Sequence, residues 1–244
     1  IKEAKRFQDI LIDDFDEVDC SNVFLGGYAQ FISEEQLLQK RYINVHGALL
    51  PKYRGMHPTF WAIMNAEKEL GITFHLVDKY MDHGDIIAQY KFAYTGQPVS
   101  EINTQIDYLI EKNAGKVIYD FLNGEIYAVP QNESEALFGA RRNLIDCLVD
   151  FNWSNELLRR YFQALTEPYP LPLLKINNEL YEIISAKIVD RCYFGPLGRA
   201  VNIDEDGVWI KTKDGFLVVS KVRKYGEKKI KKLWNMVKIG YRFV

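Results

Sequence analysis

Tyr42-Ile43-Asn44-Val45-His46 alternates large apolar and polar residues with a period of two, and Gly47, Pro51 and Gly55 follow at once. The alternation predicts a strand with one buried face, and the glycines and proline predict a loop that ends it. Asn44 and His46 are two apart, so on a strand both side chains leave the same face. A carboxamide and an imidazole are thus presented together at the end of a sheet strand, where open α/β sheets bind ligands. Gly71 to Val77, rich in β-branched and aromatic residues, predicts a second strand. It runs into the polar loop Asp78-Lys79-Tyr80-Met81-Asp82-His83-Gly84-Asp85. An acid from that loop, folded back onto His46, would complete a set suited to acyl transfer: one oxyanion donor, one proton shuttle, one orienting anion.

The 244 residues allow one large domain, or a medium one with a small appendage. Hydrophobic residues make up 48% and charged residues 26%, the balance of a globular chain. A formal net charge of −2 gives no global attraction to nucleic acid or to an anionic membrane. Cys20, Cys147 and Cys192 are odd in number, scattered, and lack metal-ligand spacing, which favours buried thiols in a reducing compartment over a disulfide frame. No apolar run has the length of a membrane span and no signal peptide opens the chain, so a cytosolic location is expected.

Along the chain, Asn22 to Tyr28 reads as a strand, and Ser33 to Gln39 as a short helix capped by Ser33 with Gln36 three residues on. Thr59 to Glu67 predicts a helix with Phe60, Ile63 and Met64 on one face. Glu101 to Asn123 predicts a long helix, with Ser100 to cap it and Gly124 to end it. Asn155 to Leu165 predicts another, broken by Glu167-Pro168-Tyr169-Pro170-Leu171-Pro172. From Leu180 onward short strands alternate with turns, and Asp206-Gly207 and Asp214-Gly215 mark hairpins. The expected division is a catalytic domain over 1–150, a helix and Pro-rich connection over 151–177, and a β-rich domain over 178–244.

Asn44-Val45-His46, Leu49-Leu50-Pro51-Lys52-Tyr53-Arg54-Gly55, Gly71-Ile72-Thr73-Phe74-His75 and Asp82-His83-Gly84-Asp85-Ile86-Ile87 occur in this order over roughly fifty residues. Together they resemble the formyltransferases that use 10-formyltetrahydrofolate, whose acceptors include glycinamide ribonucleotide, methionyl-tRNA and nucleotide-linked amino sugars. Trp153 and Ala164-Leu165-Thr166-Glu167-Pro168-Tyr169-Pro170 extend the resemblance. It implies an α/β fold: a Rossmann-like domain on a mostly parallel sheet, followed by a small β-barrel of the OB type. It also implies a βαβ unit of about fifty residues ahead of this stretch, so the N-terminal strands are expected to be missing from the chain as written. A homodimer through the C-terminal half is a further implication.

The resemblance assigns Asn44, His46 and Asp82 as the catalytic trio. It places the folate against Val77, Asp78, Lys79, Tyr80, Met81 and Asp82, with Gln30 and Phe31 on the opposite wall; read alone, that loop is an ordinary turn and Phe31 is core packing. Lys52, Tyr53, Arg54, His57, Trp61 and His75 are candidates for substrate contacts. The plainer alternatives are that Arg54 braces its loop, that Tyr53 and Trp61 are buried anchors, and that His75 supports the core. No metal is expected, because neither cysteines nor an acidic cluster accompany the histidines. Met56 to Asn65, and the pairing of Trp61 with Phe74-His75, resemble the sugar-nucleotide enzymes. The expected acceptor is therefore the amine of a dTDP- or UDP-linked amino-deoxy sugar feeding lipopolysaccharide O-antigen or a related surface glycan. The alternative acceptor is methionyl-tRNA, favoured by the basic tail of Lys221, Arg223, Lys224, Lys228, Lys229, Lys231, Lys232 and Lys238 around Glu227.

Overall fold

The computed structural model describes residues 21–27 and 31–243, so the Gln30 and Tyr28 expectations lie outside the described residues. The chain divides into two compact units. The first is drawn from Ile1–Ala62, Lys68–Tyr94 and Asn103–Arg141, the second from Ile63–Glu67, Thr95–Ile102 and Arg142–Val244.

In the first unit, β1 (Asn22–Gly26) leads to α1 (Glu34–Gln39) and then to β2 (Arg41–His46). Ser33 caps α1 as the sequence predicts: its hydroxyl accepts from the Gln36 N–H at 3.2 Å, and the Gln36 side chain accepts from the Ser33 N–H at 3.0 Å. The short β3 (Arg54–Gly55) and α2 (Pro58–Met64) come before the long pair β4 (Glu69–Leu76) and β5 (Ile86–Ala93). α2 stops three residues short of the expected Glu67, and Ala66 is left-handed at φ 59°. α3 (Val99–Leu122) begins before Ser100, which therefore sits in the first turn and does not cap it. Gly124 closes the end as expected, at φ 73°. β6 (Phe138–Gly139) then pairs in parallel with β3, bringing a distant segment alongside Arg54.

The sheet order is β1-β2-β4-β5. β1 and β2 are parallel, whereas β2 with β4 and β4 with β5 are antiparallel. The described sheet is thus mixed where a mostly parallel one was expected: the segment from Gly47 to Lys68, which carries β3 and α2, brings β4 back antiparallel to β2. β2 also differs from its one-faced reading: Tyr42, Ile43, Val45 and His46 are all buried, since the strand is internal to the sheet.

Gly71, in the middle of β4, faces the backbone of its neighbour so closely that a Cβ there would lie 2.1 Å from the Tyr90 carbonyl oxygen. Backbone in a paired ladder cannot step aside. Gly71→Ala is expected to destabilise the protein by about 3 kcal/mol, the upper range for overpacking, read as a lower urea midpoint at unchanged slope.

In the second unit, α4 (Asn155–Ala164) starts at Ser154, whose hydroxyl accepts from the Leu157 N–H at 3.1 Å. Leu158, Tyr161 and Ala164 form its buried face. Six antiparallel strands follow: β7 (Leu173–Ile176), β8 (Glu179–Val189), β9 (Ala200–Asp204), β10 (Gly207–Lys211), β11 (Phe216–Lys224) and β12 (Ile230–Lys232). Their order is β7-β8-β11-β10-β9, with β12 paired to the far half of β11. Register shifts between Val219 and Val222 let β8 and β11 coil, as bulges do in barrel-like sheets. Both predicted Asp-Gly hairpins are present. The β7–β8 turn uses Asn177 and Asn178, both left-handed at φ 49° and 65°, the pair a two-residue type I′ turn demands. Asn155 joins α4 to this sheet: it accepts from the Thr212 hydroxyl at 2.8 Å and donates to the Val189 carbonyl at 3.2 Å. No described helix is long and apolar enough to cross a membrane.

Candidate functional site

The site grows from the end of β2. Thr73, opposite His46 on β4, donates its hydroxyl to the Ala48 carbonyl at 2.7 Å and accepts the Leu50 N–H at 3.0 Å. Gln89 on β5 donates to the Leu50 carbonyl at 2.7 Å. These bonds fix the turn after the strand and send the chain back over His46. There the Tyr53 carbonyl accepts a hydrogen bond from His46 Nε2 at 2.8 Å. A carbonyl can only accept, so Nε2 carries the proton and the neutral ring leaves Nδ1 as a base.

Asp82 reaches that base from the loop after β4. Its Oδ2 lies 3.5 Å from His46 Nδ1 and accepts the Gly55 N–H at 2.8 Å, and its Oδ1 lies 3.5 Å from His75 Nε2. His75 donates from Nδ1 to the Leu76 carbonyl at 2.7 Å, which makes its Nε2 the acceptor for the Asn44 amide at 3.2 Å. One Asn44 N–H is thereby engaged and the second is left over. Asn44 Oδ1 is buried with no partner among the described residues. Burial pulls His46 below its usual 6.5; Asp82 and the Tyr53 carbonyl oppose the shift, and His75 adds to it. Burial by itself would raise Asp82, but His75, His46 and the Gly55 amide outweigh it and hold the carboxyl below its usual 3.8. At neutral pH the arrangement is a neutral imidazole beside an ionised carboxylate, the state in which a base can accept a proton.

These groups face a cavity of about 350 Å³, within the size range of small-molecule sites. Of the sequence candidates, Asn44, His46, Asp82, Phe31, Val77, Asp78, Tyr80, Met81, His57 and His75 line it. Phe31 is exposed at its wall and not packed in a core. Lys79 turns to a neighbouring, more open concavity of about 860 Å³ beside α1, and Lys52 lines neither. Three further substrate candidates are corrected by their contacts. Tyr53 is buried and offers the site its backbone carbonyl. Trp61 donates its indole N–H to the Ala140 carbonyl at 2.9 Å and stands outside the cavity lining. Arg54 is 2% exposed and is held by Gln131 and Glu133. A buried guanidinium stripped of such partners would cost about 3–5 kcal/mol, so it braces the loop and is not presented to a substrate.

The sequence reading missed the Tyr53 carbonyl, the Gly55 amide and Gln131. The first two are backbone groups, to which residue type is silent. Gln131 sits in a Pro-Gln-Asn stretch that reads as a plain loop, and only the β3–β6 pairing shows where it returns. His83 is paired with Asp78 at 2.5 Å at the rim. Among the described residues no group of three or more His, Cys, Asp or Glu is placed to hold a metal.

Comparison with known proteins gives a family. Residues 1–105 match the family described as formyl transferase, and residues 144–237 match the formyl transferase C-terminal domain. A curated methionyl-tRNA formyltransferase of Finegoldia magna is 24% identical over 216 residues, 87% of this chain and 69% of its own length. Relatives of the same name reach 29% identity. HypX from Aquifex aeolicus, solved with tetrahydrofolic acid, superposes with a TM-score of 0.66 at 18% identity over 89% of this chain, which spans only 38% of the HypX chain. WlaRD, a sugar 3N-formyl transferase solved with dTDP and 5-N-formyl-THF, gives 0.65 at 23% identity over 90% of this chain and 78% of its own. The structural likenesses speak to the fold. The named relatives overturn the nucleotide-sugar acceptor expected from Met56 to Asn65. Trp61, on which that expectation leaned, commits its indole N–H to the Ala140 carbonyl and is not among the cavity-lining residues.

Proposed function

Because the chain belongs to the formyl transferase family, whose co-substrate is 10-formyltetrahydrofolate, we propose that it formylates the amino group of methionyl-tRNA. The observation that carries this reading is the shared name of relatives aligned over both halves of the chain. The cavity suits the formyl-bearing end of a folate: it is the right size, the aromatic Phe31 lies on one wall, and the loop from Val77 to Asp82 on another. The co-substrate supplies the formyl carbon and receives one proton on its departing nitrogen. The chain's residues bind, orient and move that proton. His46 Nδ1 accepts it as the acceptor amine attacks the formyl carbon and the carbon–nitrogen bond to the folate breaks. Asp82, at 3.5 Å, stabilises the imidazolium so formed, while Tyr53 fixes the ring. Asn44 offers its remaining N–H to the charge that develops on the formyl oxygen, a role whose loss slows enzymes by about 10²–10³.

The basic tail has a sharper form than its sequence suggested. Arg223 is paired with Glu182 and Glu167, and Lys224 with Glu179 and Glu227. Lys221, Lys228, Lys229, Lys231, Lys232 and Lys238 make no ion pair with any described residue, and Lys221 stands directly opposite Lys232 across β11 and β12. Like charges placed opposite each other disfavour the sheet, and a polyanion would relieve them. Replacing Lys229, Lys231 and Lys232 together with alanine is expected to raise KM for tRNA, leave kcat near wild type, and flatten log KM against log salt by about one for each phosphate no longer neutralised.

The deciding experiment supplies 10-formyltetrahydrofolate with methionyl-tRNA and, separately, with a panel of nucleotide amino sugars, and detects the formylated product by mass. Formylmethionyl-tRNA is the expected product; a formamido sugar with no tRNA product would reject the reading.

A further inference from the structure

We propose that Gln131 is a positioning residue for Asp82, with Arg54 setting its orientation. The inference rests on the function proposed above for Asp82. The Gln131 amide nitrogen donates to two carbonyls of the acid's own loop, that of Asp82 at 2.9 Å and that of Gly84 at 2.8 Å. Its oxygen accepts from Arg54 Nε at 3.1 Å and Nη2 at 2.8 Å. Arginine has no acceptor, so the carboxamide has only one way to face: oxygen to the guanidinium, both N–H groups to the loop. Arg54 is in turn clamped by Glu133 at 2.6 and 3.0 Å.

The loop needs such a clamp. Asp82 is left-handed at φ 49°, a conformation that non-glycine residues adopt at a penalty and keep only when their surroundings dictate it. Gly84 is pressed onto the end of β4 so tightly that a Cβ would lie 2.0 Å from the Leu76 carbonyl oxygen. Gln131 bridges the strained residue and the closely packed glycine. On the other side, β3 presents the Gly55 N–H to the carboxylate itself. One short strand therefore holds the acid twice, through Gly55 directly and through Arg54 and Gln131 from behind. The groups around the carboxylate are His46 and His75; behind Gln131 stand Arg54 and Glu133, and His83 lies 3.5 Å from Glu133.

Gln131→Glu separates positioning from folding. A glutamate keeps an oxygen for Arg54 and gains attraction to it, but turns an acceptor toward two carbonyls that need donors. Gln131→Met removes both sets of bonds at similar volume. With methionyl-tRNA as acceptor, both variants are expected to lose about 10–100-fold in kcat, as second-layer changes do, with KM for tRNA within about twofold. The acid limb of the pH–rate profile should move to lower pH, because a displaced Asp82 no longer supports protonated His46. Wild-type kcat, or a loss matched by the loss of folded protein with the limb unmoved, overturns the proposal. If the wild-type protein formylates no methionyl-tRNA, the function fails and Gln131 is still decided by an NMR titration of His46: a lower midpoint in Gln131→Glu supports it, an unchanged midpoint rejects it.

Discussion

Formyl transfer by a His46→Ala variant is expected to fall by at least about 10²–10⁴ in kcat, the range a positioned acid–base group contributes, while the fold persists. The imidazole lines the cavity, and its proton-accepting Nδ1 takes no hydrogen bond from a described residue. Its Nε2 is committed to Tyr53, and the His75 Nε2 is occupied by Asn44. The fold should survive because the change leaves one backbone carbonyl unpaired, an effect of about 1–3 kcal/mol, visible as a modest drop in the thermal midpoint. In the wild type, kcat should decline on acidification with a midpoint below 6.5, since burial depresses His46 and protonation removes the base. The alanine variant should show residual activity without that limb. Near-normal turnover in it would remove His46 from the reaction.

Asp82→Asn should lower kcat by about 10²–10³ for a different reason. An asparagine can still accept the Gly55 N–H, so the loop stays in place. The negative charge that raises the His46 proton affinity is gone, and a neutral dipole cannot replace it beside a buried imidazolium. The acid limb should therefore shift downward in this variant, where in His46→Ala it disappears. Stability also changes with a defined sign. The Asp82 carboxyl is held below its usual 3.8, so its contribution is present above that pH and is lost as pH falls through the lowered value. Acid unfolding of the asparagine variant should lack this component. An unmoved limb alongside full activity would place the carboxylate outside the chemistry.

The parts of the site legible in the sequence are those where side-chain type carries the information. Asn44 and His46 share a strand, and their spacing is a direct geometric statement. Ser33 with Gln36 and the Asp-Gly turns likewise declare themselves through local hydrogen bonding. Legibility ends where the determinant is non-local or belongs to the backbone. The antiparallel return of β4 depends on what the sheet order brings beside β2, and no residue in Gly71 to Val77 specifies direction. Arg54 reads as an exposed loop cation until Gln131 and Glu133, more than seventy residues on, bury it. Trp61 could have stacked on a ligand; its indole N–H finds Ala140 instead. The nucleotide-sugar acceptor leaned in part on Trp61, which is not among the residues that line the cavity.

The pairing of β3 with β6 sets a limit on protein engineering. A designer grafting Tyr42 to Gln89 into another scaffold would transfer Asn44, His46 and Asp82 yet discard the glutamine and glutamate that arrive on the later segment. Such a transplant should bind weakly and turn over poorly, with its acid wandering among conformers. A segment that keeps Asp82 with its supports must run to about Ala140, well past the helix that separates Arg54 from Gln131 in the chain.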